Sequence, residues 1–217
     1  MDLFAEAARL NNEGINALVE GDDKTAIDVL TRSIKLMKQE LSKPGTSLKD
    51  FKPSNLDNDC TNSTIEVPGF HGAQESFIFS GAITIPETGE HDEQDIHVYS
   101  AVVIFNLALA HHRQALALSC KSTYMTKAEK LYGMVLKLLD DCVNRAAVIV
   151  KLASINNLAQ IRFDSGDYEH ARHSLEHISS FMRSSAAANH AMFEEPEIQS
   201  LLMNVLLLKA PKVAPAA

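Results

Sequence analysis

Apolar residues recur along this chain at intervals of three and four, the spacing that puts them on one face of a helix. In the C-terminal half the run is Val148, Leu152, Ile155, Ala159 and Phe163, then Gly166-Asp167, then Ala171, Leu175, Ile178 and Phe181. Two amphipathic helices with a glycine turn between them cannot each bury an apolar stripe alone, so they must pair as a hairpin. The glycine suits the left-handed residue that closes a helix, and the aspartate suits the N-cap of the next. Near the N-terminus the same arrangement appears. Leu3, Ala7, Leu10, Gly14 and Ala17 share a face, Gly21-Asp22 follows, and Ala26, Ile27, Leu30 and Ile34 come after it. The periodicity predicts helices over 2–20, 23–41, 98–119, 123–140, 144–164 and 168–184, and the second of these stops ahead of Lys43-Pro44-Gly45.

Between about 42 and 97 the helical period is lost, and four of the seven prolines fall there, among many Asn, Asp, Ser and Thr residues. One apolar island interrupts it, Phe77-Ile78-Phe79-Ser80-Gly81-Ala82-Ile83-Thr84-Ile85-Pro86, and Thr64-Ile65-Glu66-Val67 upstream could pair with it as a small β-hairpin. A loop of this length in a compact domain is either functional or disordered. Three roles stay open: a surface excursion whose island tucks against the helices, a lid or plug over a groove, or an arm that adds a strand to a partner.

Superposing Gly21 on Gly166 places Asn12 on Asn157, Gly14 on Ala159 and Ala26 on Ala171. This pattern, a small residue, six residues, Gly-Asp, three residues and Ala, resembles the tetratricopeptide repeat. It covers residues 9–41 and 152–184. A lengthened unit over 98–140 carries Phe105-Asn106-Leu107-Ala108 on its first helix and Lys127-Ala128-Glu129 on its second. The resemblance implies an all-α fold, a short right-handed α-solenoid of about three antiparallel hairpins in one domain spanning 1–217. In this scheme 9–41, 98–140 and 144–184 are the repeats and 42–97 is the inserted loop. Residues 195–210 form a capping helix, with Ile198, Leu201, Leu202, Val205 and Leu208 on its apolar face, and 211–217 are a tail. The same apolar face offers a route to self-association.

Composition narrows the function. The formal net charge of −8 and the lack of any concentrated basic stretch argue against nucleic acid or an anionic membrane as partner. Three cysteines, Cys60, Cys120 and Cys142, without CxxC spacing indicate neither a disulfide framework nor a zinc finger, and a reducing, cytoplasmic setting fits them. The acidic, amphipathic N-terminus does not read as a secretory leader, and no apolar run is long enough to span a bilayer. No glycine-rich phosphate loop, GxSxG or HExxH occurs, so no catalytic residue and no cofactor is assigned. His170, His173 and His177 share a stripe in which His170 and His173 are the closer neighbours; it reads as a solvated outer face, and no metal is assigned.

The polar signal that remains is asparagine. Asn12, Asn106 and Asn157 occupy one repeat position, which in the resembled family lines the concave surface, with Asn11, Asn156 and Gln160 flanking it. A side-chain amide offers a donor and an acceptor together, so it can hold a peptide group whatever side chain that residue carries. The matching positions lack the Lys and Arg of the family's carboxylate clamp, so a reader of acidic C-terminal tails is not expected. The resemblance therefore implies a non-catalytic scaffold that binds a protein or peptide partner in a groove. A homo-oligomeric subunit, or an enzyme or small-molecule carrier lidded by 42–97, are the alternatives. On exposed helices, alanine in place of Asn106 and Asn157 is expected to weaken partner capture and leave thermal stability nearly unchanged.

Overall fold

A computed structural model describes residues 2–42, 78–85, 93–118, 121–142, 145–186 and 201. Six helices form: α1 (Leu3–Glu20), α2 (Asp23–Leu41), α3 (Glu93–Ala117), α4 (Lys121–Leu138), α5 (Arg145–Asp164) and α6 (Tyr168–Ala186). The described residues hold no β-strand, and no helix among them is long and apolar enough to cross a membrane. Leu201 is helical and buried; the rest of the expected capping helix, the strand Thr64–Val67, Cys60 and Cys120 lie outside the described residues. The residues fall into two compact units, one drawn from Met1–Gly69 and Ser80–Lys151, the other from Phe70–Phe79 and Leu152–Ala217.

In the first unit, Asp2 caps α1 by accepting from the amides of Phe4 and Ala5 at 2.9 and 3.3 Å. Gly21, at φ 82°, ends the helix, and the Asp22 amide reaches back to the Ala17 carbonyl at 2.9 Å. Asp22 then caps α2, accepting from the Thr25 amide at 3.0 Å and the Thr25 hydroxyl at 2.7 Å. The second unit repeats this geometry. Gly166 sits at φ 85°, and the Asp167 amide donates to the Arg162 carbonyl at 2.8 Å. Each Gly-Asp pair thus stops one helix and starts the next, as their spacing in the sequence predicts.

α1 packs along α2 and α3 along α4, and α2 also packs on α3, so two antiparallel hairpins stack in the first unit. Ser33 is buried and donates to the Ala7 carbonyl at 2.7 Å, tying α2 to α1. Arg113 on α3 meets Asp23 on α2 at 3.1 Å; burial pushes the Asp23 carboxyl up, and the guanidinium pulls it back. Phe105 lies 5.8 Å from Tyr132, and the Lys151 ammonium donates to the carbonyls of Asp140 and Cys142 beyond the end of α4. Cys142 is half-buried, and burial raises its thiol pKa. In the second unit the end of α5 pairs with α6 through Arg162, which donates to Ser174 at 2.8 Å, and through Phe163 against Tyr168 at 5.2 Å.

α3 starts at Glu93, five residues before its apolar pattern becomes regular at 98, and between Val98 and His112 it is buried on nearly every side rather than on one stripe. α1, α2 and α4 cover three flanks, and the main chain of residues 82–85 covers a fourth through Asn106. A helix enclosed in this way has no solvent face to advertise its period. His112 on α3 is fully buried with Tyr132 6.1 Å away, and His111 faces Tyr124 at 5.8 Å.

Two outcomes follow from this packing. A Cβ at Gly14 would stand 2.6 Å from Cγ of the fully buried Leu30, whereas a Cβ at Gly133 meets nothing within 4 Å. In thermal melts, Gly14→Val is expected to cost about 1–3 kcal/mol, and Gly133→Ala to stabilise by about 0.5–1 kcal/mol. Burial lowers the pKa of both His111 and His112 from 6.5 to about 4, with the Lys127 charge adding to the effect at His111. The unfolded chain therefore takes up these protons first as pH falls below 6.5, and stability is lost from there down to about 4. Each histidine steepens the loss by up to about 1.4 kcal/mol per pH unit. Denaturant titrations of His112→Leu across this window should show a shallower acid slope than wild type.

Candidate functional site

The segment 78–85 belongs to neither a helix nor a strand, yet Ile78, Phe79, Ala82, Ile83 and Ile85 are all buried. A buried backbone of this kind must find partners for its N–H and C=O groups. Asparagine side chains supply them.

In the first unit the partners come from α1 and α3. Asn106 Oδ1 accepts from the Ile83 amide at 2.9 Å, and Asn106 Nδ2 donates to the Ile83 carbonyl at 2.8 Å. Two residues on, Asn12 Oδ1 accepts from the Ile85 amide at 3.1 Å and Asn12 Nδ2 donates to the Ile85 carbonyl at 2.9 Å. Asn11 joins the two: its Nδ2 donates to the Ile83 carbonyl at 3.2 Å and to Asn12 Oδ1 at 3.3 Å, while its Oδ1 accepts from Asn106 Nδ2 at 2.9 Å. The Ile83 carbonyl thus has both lone pairs engaged.

The second unit uses the same chemistry once. Asn157 Oδ1 accepts from the Phe79 amide at 2.7 Å, and Asn157 Nδ2 donates to the Phe79 carbonyl at 3.1 Å. Asn156 Nδ2 donates to Asn157 Oδ1 at 3.1 Å, in the place Asn11 takes beside Asn12. Each of the three pairs reproduces the exchange of two hydrogen bonds by which a residue on one antiparallel strand holds the residue opposite it. An amide side chain stands in for the neighbouring strand. The residues held in the first unit, 83 and 85, are two apart, as they must be if an extended backbone turns the same edge to Asn106 and Asn12.

Of the six asparagine and glutamine positions singled out by sequence, five take part. Gln160 does not: its Nε2 donates to Asp164 at 2.8 Å, and its Oε1 is buried without a partner among the described residues. Asn11, Asn106, Asn156 and Asn157 are fully buried rather than lining an open surface, because segment 78–85 lies against them. Sequence reasoning missed Asn11 as the link between the α1 and α3 contacts, and it missed Phe79, Ile83 and Ile85 as the groups held. The apolar island in a polar loop was the available signal for the latter.

The titratable groups lie elsewhere. His111 and His112 are packing residues between α3 and α4. The stripe on α6 is exposed. His173 and His177 bring their Nε2 atoms within 3.3 Å, while His170 turns to Asp167 at 2.9 Å. The close pair is therefore 173 with 177, not 170 with 173, because Asp167 holds His170 at the helix start. Among the described residues no three His, Cys, Asp or Glu side chains gather as a metal would require. The chain matches no family model, no curated protein and no solved structure.

Burial changes what alanine substitutions should do. Asn106→Ala strands the Ile83 amide and removes one of two donors from its carbonyl, and is expected to cost about 2–3 kcal/mol in chemical denaturation. Asn12→Ala, at the part-buried end of the grip, should cost about 1 kcal/mol. Equal losses for the two would contradict the arrangement. The near-neutral stability expected for alanine at Asn106 and Asn157 on exposed helices does not carry over to these buried positions.

Proposed function

We propose that this chain is a non-catalytic protein–protein interaction scaffold, built as a short right-handed solenoid of tetratricopeptide-like hairpins. Its asparagines take an extended partner segment by the main chain. One observation carries the reading: Asn106 pairs with both the N–H and the C=O of Ile83, while Asn12 does the same for Ile85 two residues away. Such contacts are indifferent to side-chain identity and select for extended backbone with a free amide. Asparagine is a mediocre helix former, so its recurrence at the same register on α1, α3 and α5 calls for a cause beyond helix stability. The repeated Gly-Asp turns and the stacking of α1–α2 on α3–α4 support the solenoid.

The test uses peptides drawn from a partner captured by the full chain. N-methylation of alternate amides in the bound peptide should weaken binding by about tenfold or more per site, as expected when a buried hydrogen bond is lost. Single side-chain replacements at positions facing solvent should change affinity much less. Full affinity in the N-methylated peptides would remove the main-chain reading.

A further inference from the structure

We infer that residues 78–85 are an internal competitor for the α1–α3 grip, and that the partner it admits is an extended segment with aliphatic residues at alternate positions. This rests on the main-chain reading above and adds to it a ligand chemistry and a condition for binding. The ligand chemistry is that of the resident segment. Ile83 and Ile85 are the residues whose backbone is held, and both side chains are buried, at 0% and 1% exposure. Thr84 between them is only partly covered. A segment that replaces this one must offer unmethylated, non-proline amides two residues apart and bury an aliphatic side chain at each.

The condition for binding follows from covalent connection. Seven residues, 86–92, join Ile85 to the start of α3, the helix that carries Asn106. A ligand tethered this closely to its site is presented at an effective concentration on the order of millimolar. A free segment of equal intrinsic affinity is therefore outcompeted until it reaches that concentration. The grip also cannot be shared. Asn106 Oδ1 accepts from Ile83, and its Nδ2 hydrogens are divided between the Ile83 carbonyl and Asn11, so a second main chain finds no amide group left to pair with. Partner entry and departure of residues 82–85 are one exchange.

The experiment adds a synthetic peptide of residues 78–85 to the intact wild-type chain and follows hydrogen–deuterium exchange. At millimolar peptide, the amides of Ile83 and Ile85 in the chain should exchange at least about tenfold faster than without it. A full-chain Ile85→Pro variant, which lacks the amide that donates to Asn12, should bind the peptide at least about tenfold tighter than wild type. Adding Asn106→Ala should abolish that gain. Unchanged protection of Ile83 and Ile85 at millimolar peptide overturns the inference, as does equal affinity of wild type and Ile85→Pro. Should Ile85→Pro not fold, the exchange measurement on wild type decides alone. A peptide that binds through its amides while Ile83 and Ile85 stay protected overturns the competition and leaves the main-chain grip standing. Insensitivity to N-methylation overturns the grip itself.

Discussion

A peptide group taken out of water without a partner costs more than most side-chain contacts return. Helices and sheets meet that demand within themselves. The segment 78–85 does neither, and its burial is possible because three asparagines each complete one residue's donor and acceptor together. The rest of the first unit is consistent with this demand. Asn106 can reach Ile83 because α3 is held beside α1, with Phe4 and Tyr99 5.4 Å apart and Asn11 bonded to Asn106. α3 in turn is held by α2 through Arg113 and Asp23, and by α4 through Phe105 and Tyr132. The grip is the point where the packing of the helices becomes a geometric requirement on a few polar atoms.

The same demand explains why so much amide is buried. Core asparagine is normally unfavourable, since each unpaired N–H or carbonyl loses its water. Here the side chains form a connected set. Asn11 bonds Asn12, Asn106 and the Ile83 carbonyl, so each amide fixes the orientation of the next. A set in which every member is paired makes one arrangement stable and its near neighbours costly.

Much of this fold was readable in the chain. The Gly21-Asp22 and Gly166-Asp167 turns, with Leu10, Leu18, Leu30, Leu175 and Ile178 at helical spacing, marked two hairpins correctly, because each of those helices keeps a solvent face. α3 is marked by residues like those of the repeat, Phe105-Asn106-Leu107-Ala108, rather than by periodicity. Its middle is buried nearly all round, so period carries little information about where Glu93 begins or which face Asn106 occupies. Asparagine at one register suggested a surface for main chain, and that chemistry is what the structure uses. The apolar island was legible as a segment that could lie on the helices, but which of its residues Asn12 holds was not, since Asn12 and Ile85 are 73 residues apart and nothing local to either records the other. Gln160 was grouped with the asparagines by proximity in sequence, but its extra methylene and the nearby Asp164 draw it along its own helix.

The order in which these groups leave the ribosome adds a further property. Asn11 and Asn12 are made first, Ile83 and Ile85 emerge about seventy residues later, and Asn106 comes last. When Ile83 leaves the ribosome, the helix that will complete its bonding has not yet followed it out, so half of its cradle is missing. Contacts separated this far along a chain also form late, because the loop must close before they reward it. Until Asn106 follows, the apolar strip around Ile83 has only the asparagines of α1 to pair with, and the rest of its backbone stays bonded to water.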